Sequence, residues 1–106
     1  HRWRRLFESY DLLLTPTTAV PPFPVEQNYP DEIDGKKLVS YIDWIAQTFL
    51  VSLAALPAVS VPAGLTSRDL PIGLQIVGPR FSEPAILTAA KFVERARPIG
   101  LPPVCA

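Results

Sequence analysis

The chain of 106 residues carries ten Lys and Arg against ten Asp and Glu, so its formal net charge is zero. Because binding to a polyanion relies on an excess of basic residues, this balance argues against a nucleic-acid-binding protein. Hydrophobic residues make up 48% and charged residues 19%, which is typical of a globular chain and not of a disordered one. A single Cys and a single His exclude a disulfide framework within the chain and a multi-histidine metal site.

The first half of the chain predicts a helix, a strand and a long loop. Apolar residues recur at helical spacing over residues 2–10, and the apolar run over residues 11–15 is typical of a buried strand in a parallel or mixed sheet. Pro16 ends that strand, because proline cannot donate to a sheet ladder. Residues 16–37 form a proline-rich loop, with a turn or a tiny hairpin at Asp34-Gly35.

The clearest helix is predicted over residues 38–55. Its apolar residues repeat every three or four positions, and a polar stripe is formed by Ser40, Asp43 and Gln47. Apolar side chains nevertheless spread well round this helix. A helix with this pattern is usually buried, so we expect it to pack inside a larger body.

Two short strands and a helix complete the chain. A strand over residues 58–61 is closed by Pro62, and a second strand over residues 71–77 alternates its side chains between two faces. Ser82 is the predicted N-cap of a helix that runs to about Ala96. The predicted order is therefore helix, strand, long loop, helix, strand, strand, helix.

Few polar side chains are placed to carry chemistry. A hydrolytic serine needs a base and an oxyanion hole, and the only His, His1, is terminal. We therefore expect Ser60 to be a strand hydroxyl bonded to neighbouring backbone, with a nucleophile as the alternative. Gln75, on an otherwise apolar strand, needs partners if buried, and backbone groups of a neighbouring loop are expected. Cys105 and His1 are not expected to be catalytic.

Three motifs in a fixed order carry a resemblance to a known family. They read YDLLLTPT over residues 10–17, LPAVSVPAG over residues 56–64 and LPIGLQIVG over residues 70–78. Together they closely resemble the C-terminal end of the amidase signature family, whose pattern is D-x-L-x-x-P-T, then G-x-P-A-x-S-x-P-x-G, then G-L-P-x-G-L-Q-x-V-G. Each motif alone is weak, but the order and spacing match over essentially the whole chain.

The resemblance implies an α/β class, as the C-terminal segment of an α/β/α fold with a mixed sheet. It also implies hydrolysis of a carboxylic amide by a Ser–Ser–Lys triad. That triad lies upstream of the region seen here, and no Gly/Ser-rich loop or pair of adjacent serines occurs in this chain. No catalytic residue is therefore assigned, and the chain alone is expected to be inactive. Ser52 and Ala55 stand where the family often has Asn and Gly, which leaves the substrate open.

The absence of Met, even at the first position, fits a fragment of a longer chain, which would make residues 1–106 part of one amidase-signature domain. Two alternatives to an amidase remain: a glutamine-using tRNA amidotransferase subunit, and a non-catalytic scaffold or interaction module. The expected partner is a small amide substrate, without cofactor, metal, nucleic acid or membrane. Exposed apolar surface makes a homo-oligomer a further expectation. With no membrane-length apolar run and no signal peptide, the expected location is cytoplasmic.

Substrate contact is predicted at Thr15, Pro16, Thr17 and Thr18 and at the polar face of the helix 38–55. In α/β sheets, ligands gather beyond the C-terminal ends of strands, and these four residues leave the end of the strand 11–15. Small hydroxyls can hydrogen-bond an amide without filling a pocket. The alternative is that the Thr-Pro sequence merely ends a strand and that the hydroxyls bond local backbone.

Overall fold

The computed structural model describes residues 2–100, with the backbone alone at Tyr41 and Ile42, so His1 and Cys105 lie outside the described residues. Among these residues, no helix has the length and apolar character that a membrane crossing requires. The elements in chain order are α1 Arg2–Ser9, β1 Leu13–Pro16, β2 Glu32–Ile33, β3 Lys36–Lys37, α2 Tyr41–Trp44, α3 Ala46–Leu53, β4 Ala58–Leu65, β5 Pro71–Val77 and α4 Glu83–Ala96.

Three strands form one sheet in the order β1-β5-β4, and both pairings are antiparallel. The apolar run of β1 had predicted a parallel or mixed sheet, but β1 pairs in the antiparallel sense with the central strand β5. The predicted hairpin is confirmed: β2 and β3 pair across Asp34 and Gly35, whose φ angles of 51° and 76° suit a tight two-residue turn.

Pro16 is the last residue of β1, as predicted, whereas Pro62 lies inside β4, which it was predicted to end. The Thr17 N–H donates to the β5 backbone at 3.1 Å, so the alternation of an antiparallel ladder turns the nitrogen of Pro16 away from β5. Gly78, the residue after β5, donates its N–H to the Pro57 carbonyl. By the same alternation, the nitrogen of Pro62 points away from β5. Neither site needs an N–H, which is why both prolines are tolerated. A register shift between Pro62 and Gly64 then lets β4 continue to Leu65.

The core lies between one face of the sheet and α4. Val61 and Ile76 from the sheet meet Ile86 and Ala90 from the helix, and all four are buried. Leu87, beside Ile86 on the same helix, is 61% exposed. The helix begins directly after Ser82, as predicted, but the Ser82 hydroxyl donates to the Pro79 carbonyl at 2.5 Å and caps no helical N–H.

The continuous helix predicted over residues 38–55 is wrong, because the structure divides it at Ile45. The Asp43 carboxylate accepts bonds from the N–H groups of Val39 and Ser40 at 3.0 and 3.3 Å, which fixes a short first helix. The Thr48 hydroxyl donates to the Ile45 carbonyl at 2.9 Å. Of the α3 residues, Val51 is buried, whereas three large apolar side chains are at least 43% exposed, namely Phe49, Leu50 and Leu53.

Candidate functional site

A polar row crosses the face of the sheet that is turned away from α4. The register sets Thr15 of β1 opposite Gln75 of β5, and Gln75 opposite Ser60 of β4. Side chains directly opposite each other in an antiparallel sheet point to the same face. Three strands that bury apolar residues on the α4 side therefore bring a hydroxyl, an amide and a second hydroxyl together on the other side.

Gln75 lies at the centre of this row and is 5% exposed. Its Nε2 donates to Thr15 Oγ1 at 3.0 Å. Gln75 is therefore buried, the case in which a partner was expected, but the observed partner is a side chain on the adjacent strand and not the backbone of a neighbouring loop. A buried amide needs such a partner, so this bond fixes Thr15 as well as Gln75.

Thr17 extends the row to the point where the chain leaves β1. Its Oγ1 lies 2.6 Å from Ser60 Oγ, a hydrogen bond between residues 43 positions apart. The two hydroxyls lie above Gly73. A Cβ added to this glycine would lie 2.7 Å from Thr17 Oγ1 and 3.0 Å from Ser60 Oγ. Ser60 was expected to bond backbone, and the structure pairs it with a threonine hydroxyl instead. Gly73 therefore leaves the space in which the hydroxyl pair forms.

The four predicted contact residues all border open clefts. Thr15, Pro16 and Thr18 line one of about 550 Å³, and Thr17 and Thr18 line a second of about 440 Å³. The Thr18 hydroxyl donates to the Val20 carbonyl at 2.9 Å, the local backbone bond that the alternative had foreseen. The strand-end rule behind the prediction is a rule for parallel strands and does not apply to this antiparallel sheet. The support comes instead from the hydrogen-bonded row.

The cleft beside Thr17 also has an aromatic border. Phe23 and Trp44 meet edge to face, with ring centroids 5.3 Å apart and planes at 85°, and both line this cleft. None of the residues in the predicted polar stripe of the helix lines this cleft, and the Asp43 carboxylate is bonded to the N–H groups of Val39 and Ser40. Trp44 was missed as a site residue, since only the long-range contact with Phe23 distinguishes it from the other apolar residues of its helix.

The chemistry of this cleft is hydrogen bonding without charge. Its described lining residues include no acid, base or cysteine, so it supplies no group that could activate the Ser60 hydroxyl for attack. Nor do the described residues hold a cluster of His, Cys, Asp or Glu that could bind a metal ion. What the site offers is a pair of mutually bonded hydroxyls that can donate to, or accept from, a polar ligand group.

A larger cavity of about 630 Å³ lies elsewhere, between α1 and the end of α3. Its charged lining includes Arg4 and Glu8, which are 86% and 65% exposed and lie 3.9 Å apart. We favour the Thr17 cleft as the functional site, because its polar atoms are held by bonds across strands. Exposed side chains on a short helix have no comparable restraint.

Comparison with known proteins agrees with this fold. Residues 1–87 match the family model Amidase. A glutamyl-tRNA(Gln) amidotransferase subunit from Alkaliphilus metalliredigens (strain QYMF) is 41% identical over 93 residues, which are 88% of this chain and 18% of that protein.

Two solved structures are similar as well. A bacterial aryl acylamidase of the amidase signature family superposes with a TM-score of 0.82 at 34% identity, covering 91% of this chain and 20% of the other. The structure of 6-aminohexanoate cyclic dimer hydrolase superposes with a TM-score of 0.73 at 28% identity, covering 89% of this chain and 21% of the other. The chain thus spans about a fifth of the length of the relatives it matches. With most of its residues matched by the family model and its fold shared with these enzymes, the chain belongs to the amidase signature family.

Proposed function

We propose that this chain is the C-terminal part of an enzyme that hydrolyses a carboxylic amide to an acid and ammonia or an amine. Two findings support the proposal: the match to the Amidase family model, and the similarity to a solved aryl acylamidase and a solved cyclic dimer hydrolase. Residues 1–106 are then one segment of a larger amidase-signature domain, which accords with the fifth of each relative that they cover.

In this proposal the segment completes the sheet and forms one wall of the substrate pocket. The observation that carries it is the Thr17–Ser60 hydroxyl pair, held at 2.6 Å over Gly73 at the border of a cleft. A fixed hydroxyl can hold an amide oxygen or nitrogen in a defined direction, and such positioning lowers the entropic part of a reaction barrier. Thr15, Pro16 and Thr18 border the adjacent cleft and shape the same wall.

Bond cleavage itself is assigned to a Ser–Ser–Lys triad outside this chain. The described lining of the cleft contains no base that could take a proton from Ser60 or Thr17. A serine hydroxyl without such a base is a weak nucleophile. The segment therefore contributes binding and orientation, and the isolated chain is inactive.

The test is a size change at Thr17 in the full-length enzyme. Thr17→Trp fills the cleft and is expected to shift preference towards smaller amides, raising the Michaelis constant for large ones more than it lowers stability. Thr88→Trp is the matched control, because Thr88 is exposed on α4 and its hydroxyl bonds the Pro84 carbonyl at 2.8 Å. Ammonia or amine release is measured over a series of aliphatic and aryl amides. Equal kinetics for the two variants across the series would show that Thr17 faces away from the chemistry.

A second candidate is an amidotransferase subunit that releases ammonia from glutamine for a partner. The 41% identity to a glutamyl-tRNA(Gln) amidotransferase subunit favours it. The two candidates differ in the substrate that the pocket must hold, since glutamine carries a carboxylate and an ammonium group and a simple amide carries neither. If the full-length protein cleaved no amide at all, a non-catalytic scaffold would be the better interpretation.

A further inference from the structure

We infer that Gln75 is a positioning residue: by donating a hydrogen bond to Thr15, it makes the Thr15 hydroxyl a fixed donor for an acceptor oxygen of the substrate. The inference rests on the proposed function and adds to it the direction of one hydrogen bond. It is carried by the bond of 3.0 Å between Gln75 Nε2 and Thr15 Oγ1, made by a Gln75 side chain that is 5% exposed.

The direction of this bond follows from the chemistry of the amide. Nε2 of a glutamine donates and cannot accept, so Thr15 Oγ1 is the acceptor. A hydroxyl that accepts from one partner still has its own hydrogen to donate, and that hydrogen must point away from the group that donates to it. The Thr15 hydroxyl is therefore a donor towards any side of Thr15 except the side of Gln75.

Burial keeps the bond in this direction. Gln75 lies on the central strand of the sheet, directly opposite Thr15 in the register. If the Thr15 hydroxyl rotated its hydrogen towards Gln75, a buried N–H would lose its acceptor, which is costly away from water. The amide thus restrains the hydroxyl rotor of Thr15 before any ligand binds.

The restrained hydroxyl lies at a place where a ligand can reach it. Thr15 is half-buried and lines the open cleft of about 550 Å³, together with Pro16 and Thr18. A substrate oxygen that enters this cleft meets a donor whose direction is already set, so binding has little rotational freedom left to remove. Gln75 acts on the substrate through Thr15, which is the meaning of a positioning residue here.

Gln75→Glu in the full-length enzyme tests the direction of the bond, because the side chain keeps its length and loses its N–H groups. An ionised carboxylate only accepts, so the Thr15 hydroxyl would donate to it and turn its hydrogen away from the substrate. A protonated carboxyl can donate to Thr15 and restore the original direction. Burial raises the pKa of such a carboxyl above its ordinary value, which places the change between the two forms nearer to neutral pH. The register sets Thr15 and Ser60 opposite this position, and neither side chain titrates there.

The measurement is KM and kcat for acetanilide over a range of pH, by release of aniline, for Gln75→Glu and the unmodified enzyme. Relative to the unmodified enzyme, the variant's KM is expected to rise about tenfold as the introduced carboxyl ionises, with little change in kcat. Partial unfolding would instead lower the apparent kcat and leave KM unchanged. Gln27→Glu is the matched control, because Gln27 is exposed in the loop before β2. A KM ratio that stays constant with pH, or that Gln27→Glu reproduces, would overturn the inference.

Substitutions of Thr15 test the receiving side of the same bond. Thr15→Ser keeps the hydroxyl and should keep KM, whereas Thr15→Val removes it and should raise KM about tenfold. Thr88→Val is the control, because Thr88 is exposed on α4 and bonds the Pro84 carbonyl. Adding Gln75→Glu to Thr15→Val should bring no further rise of KM with pH, because no hydroxyl is left to turn.

These outcomes separate the inference from the proposed function. An unchanged KM for Thr15→Val would overturn the inference while leaving amide hydrolysis intact, and this comparison decides the matter even if Gln75→Glu fails to fold. If the unmodified enzyme released no amine or ammonia from any amide of the series, the proposed hydrolysis would fail, and the inference with it.

Discussion

Replacing Gly73 by alanine in the full-length enzyme should separate positioning from stability. An added Cβ would lie 2.7 Å from Thr17 Oγ1, 3.0 Å from Ser60 Oγ and 3.1 Å from Thr17 Cβ. Ordinary contact begins at 3.4 Å, so Thr17 Oγ1 must retreat by about 0.7 Å and Ser60 Oγ by about 0.4 Å. The Thr17 backbone cannot move freely, because its N–H donates to the Gly73 carbonyl at 3.1 Å.

The displaced Thr17 side chain then loses its 2.6 Å bond to Ser60. A net hydrogen bond is worth about 0.5–1.5 kcal/mol. Replacing glycine by alanine by itself stabilises the folded state by roughly 0.4–1 kcal/mol, because it lowers the conformational entropy of the unfolded chain. The two terms nearly cancel, and moving the two side chains adds a cost of about 1–3 kcal/mol, so the unfolding free energy should fall by roughly 1–3 kcal/mol. The kcat/KM should fall by roughly tenfold to a hundredfold if the hydroxyl pair orients the substrate.

Gly64→Ala is the matched control for this experiment. Gly64 lies on the neighbouring strand β4, and its added Cβ would meet Ile72 at 3.6 and 3.8 Å, which is ordinary contact. Neither Gly64 nor Gly73 has a positive φ, so backbone strain does not distinguish the two variants. The assay is kcat/KM for an aryl amide together with the melting temperature of both. If Gly73→Ala had the kinetics of Gly64→Ala, the hydroxyl pair would have no part in positioning substrate.

Three further predictions concern the chain itself and the polar row. The isolated 106-residue chain should release no ammonia or amine from simple amides, and turnover that Ser60→Ala abolishes would make Ser60 a nucleophile after all. The isolated chain should self-associate or melt at low temperature, because its exposed apolar side chains and open strand edges need cover, and light scattering that shows a sharply melting monomer would contradict this. Gln75→Leu in the full-length enzyme should cost about 1–3 kcal/mol through the donor lost at Thr15, and adding Thr15→Val should cost less than the sum of the two single changes. Strict additivity of the two changes would mean that the 3.0 Å bond contributes nothing.

The general outline of the fold could be predicted because its signals are local. Alternating residues over 71–77, the hairpin at Asp34-Gly35 and the start of α4 after Ser82 follow from short-range rules. The helix over residues 38–55 could not be predicted correctly, because its apolar spacing continues unbroken through Ile45. At Ile45 the backbone leaves the helical conformation, with φ −98° and ψ 9°, and the Thr48 hydroxyl donates to its carbonyl, neither of which periodicity records.

The contacts of the candidate site could be predicted only in part, because most of them join residues far apart in the sequence. Thr15 and Thr17 stand out in the sequence as hydroxyls at a strand end, and the structure places both in the polar row. Their partners Gln75 and Ser60 lie 60 and 43 positions away, and only the register of three strands brings them together. Trp44 joins the site through its contact with Phe23, which is also a long-range effect.

A structure of the full-length enzyme with a bound, unreactive aryl amide would show whether this segment forms a wall of the substrate pocket. The proposed wall depends on the Thr17–Ser60 pair, whose oxygens lie 2.6 Å apart without ligand. The predicted result is an amide oxygen or nitrogen within hydrogen-bond distance of one of these hydroxyls, with the aryl group against Trp44. A ligand bound at a catalytic centre with no atom in contact with Thr17, Ser60 or Trp44 would refute the pocket-wall role.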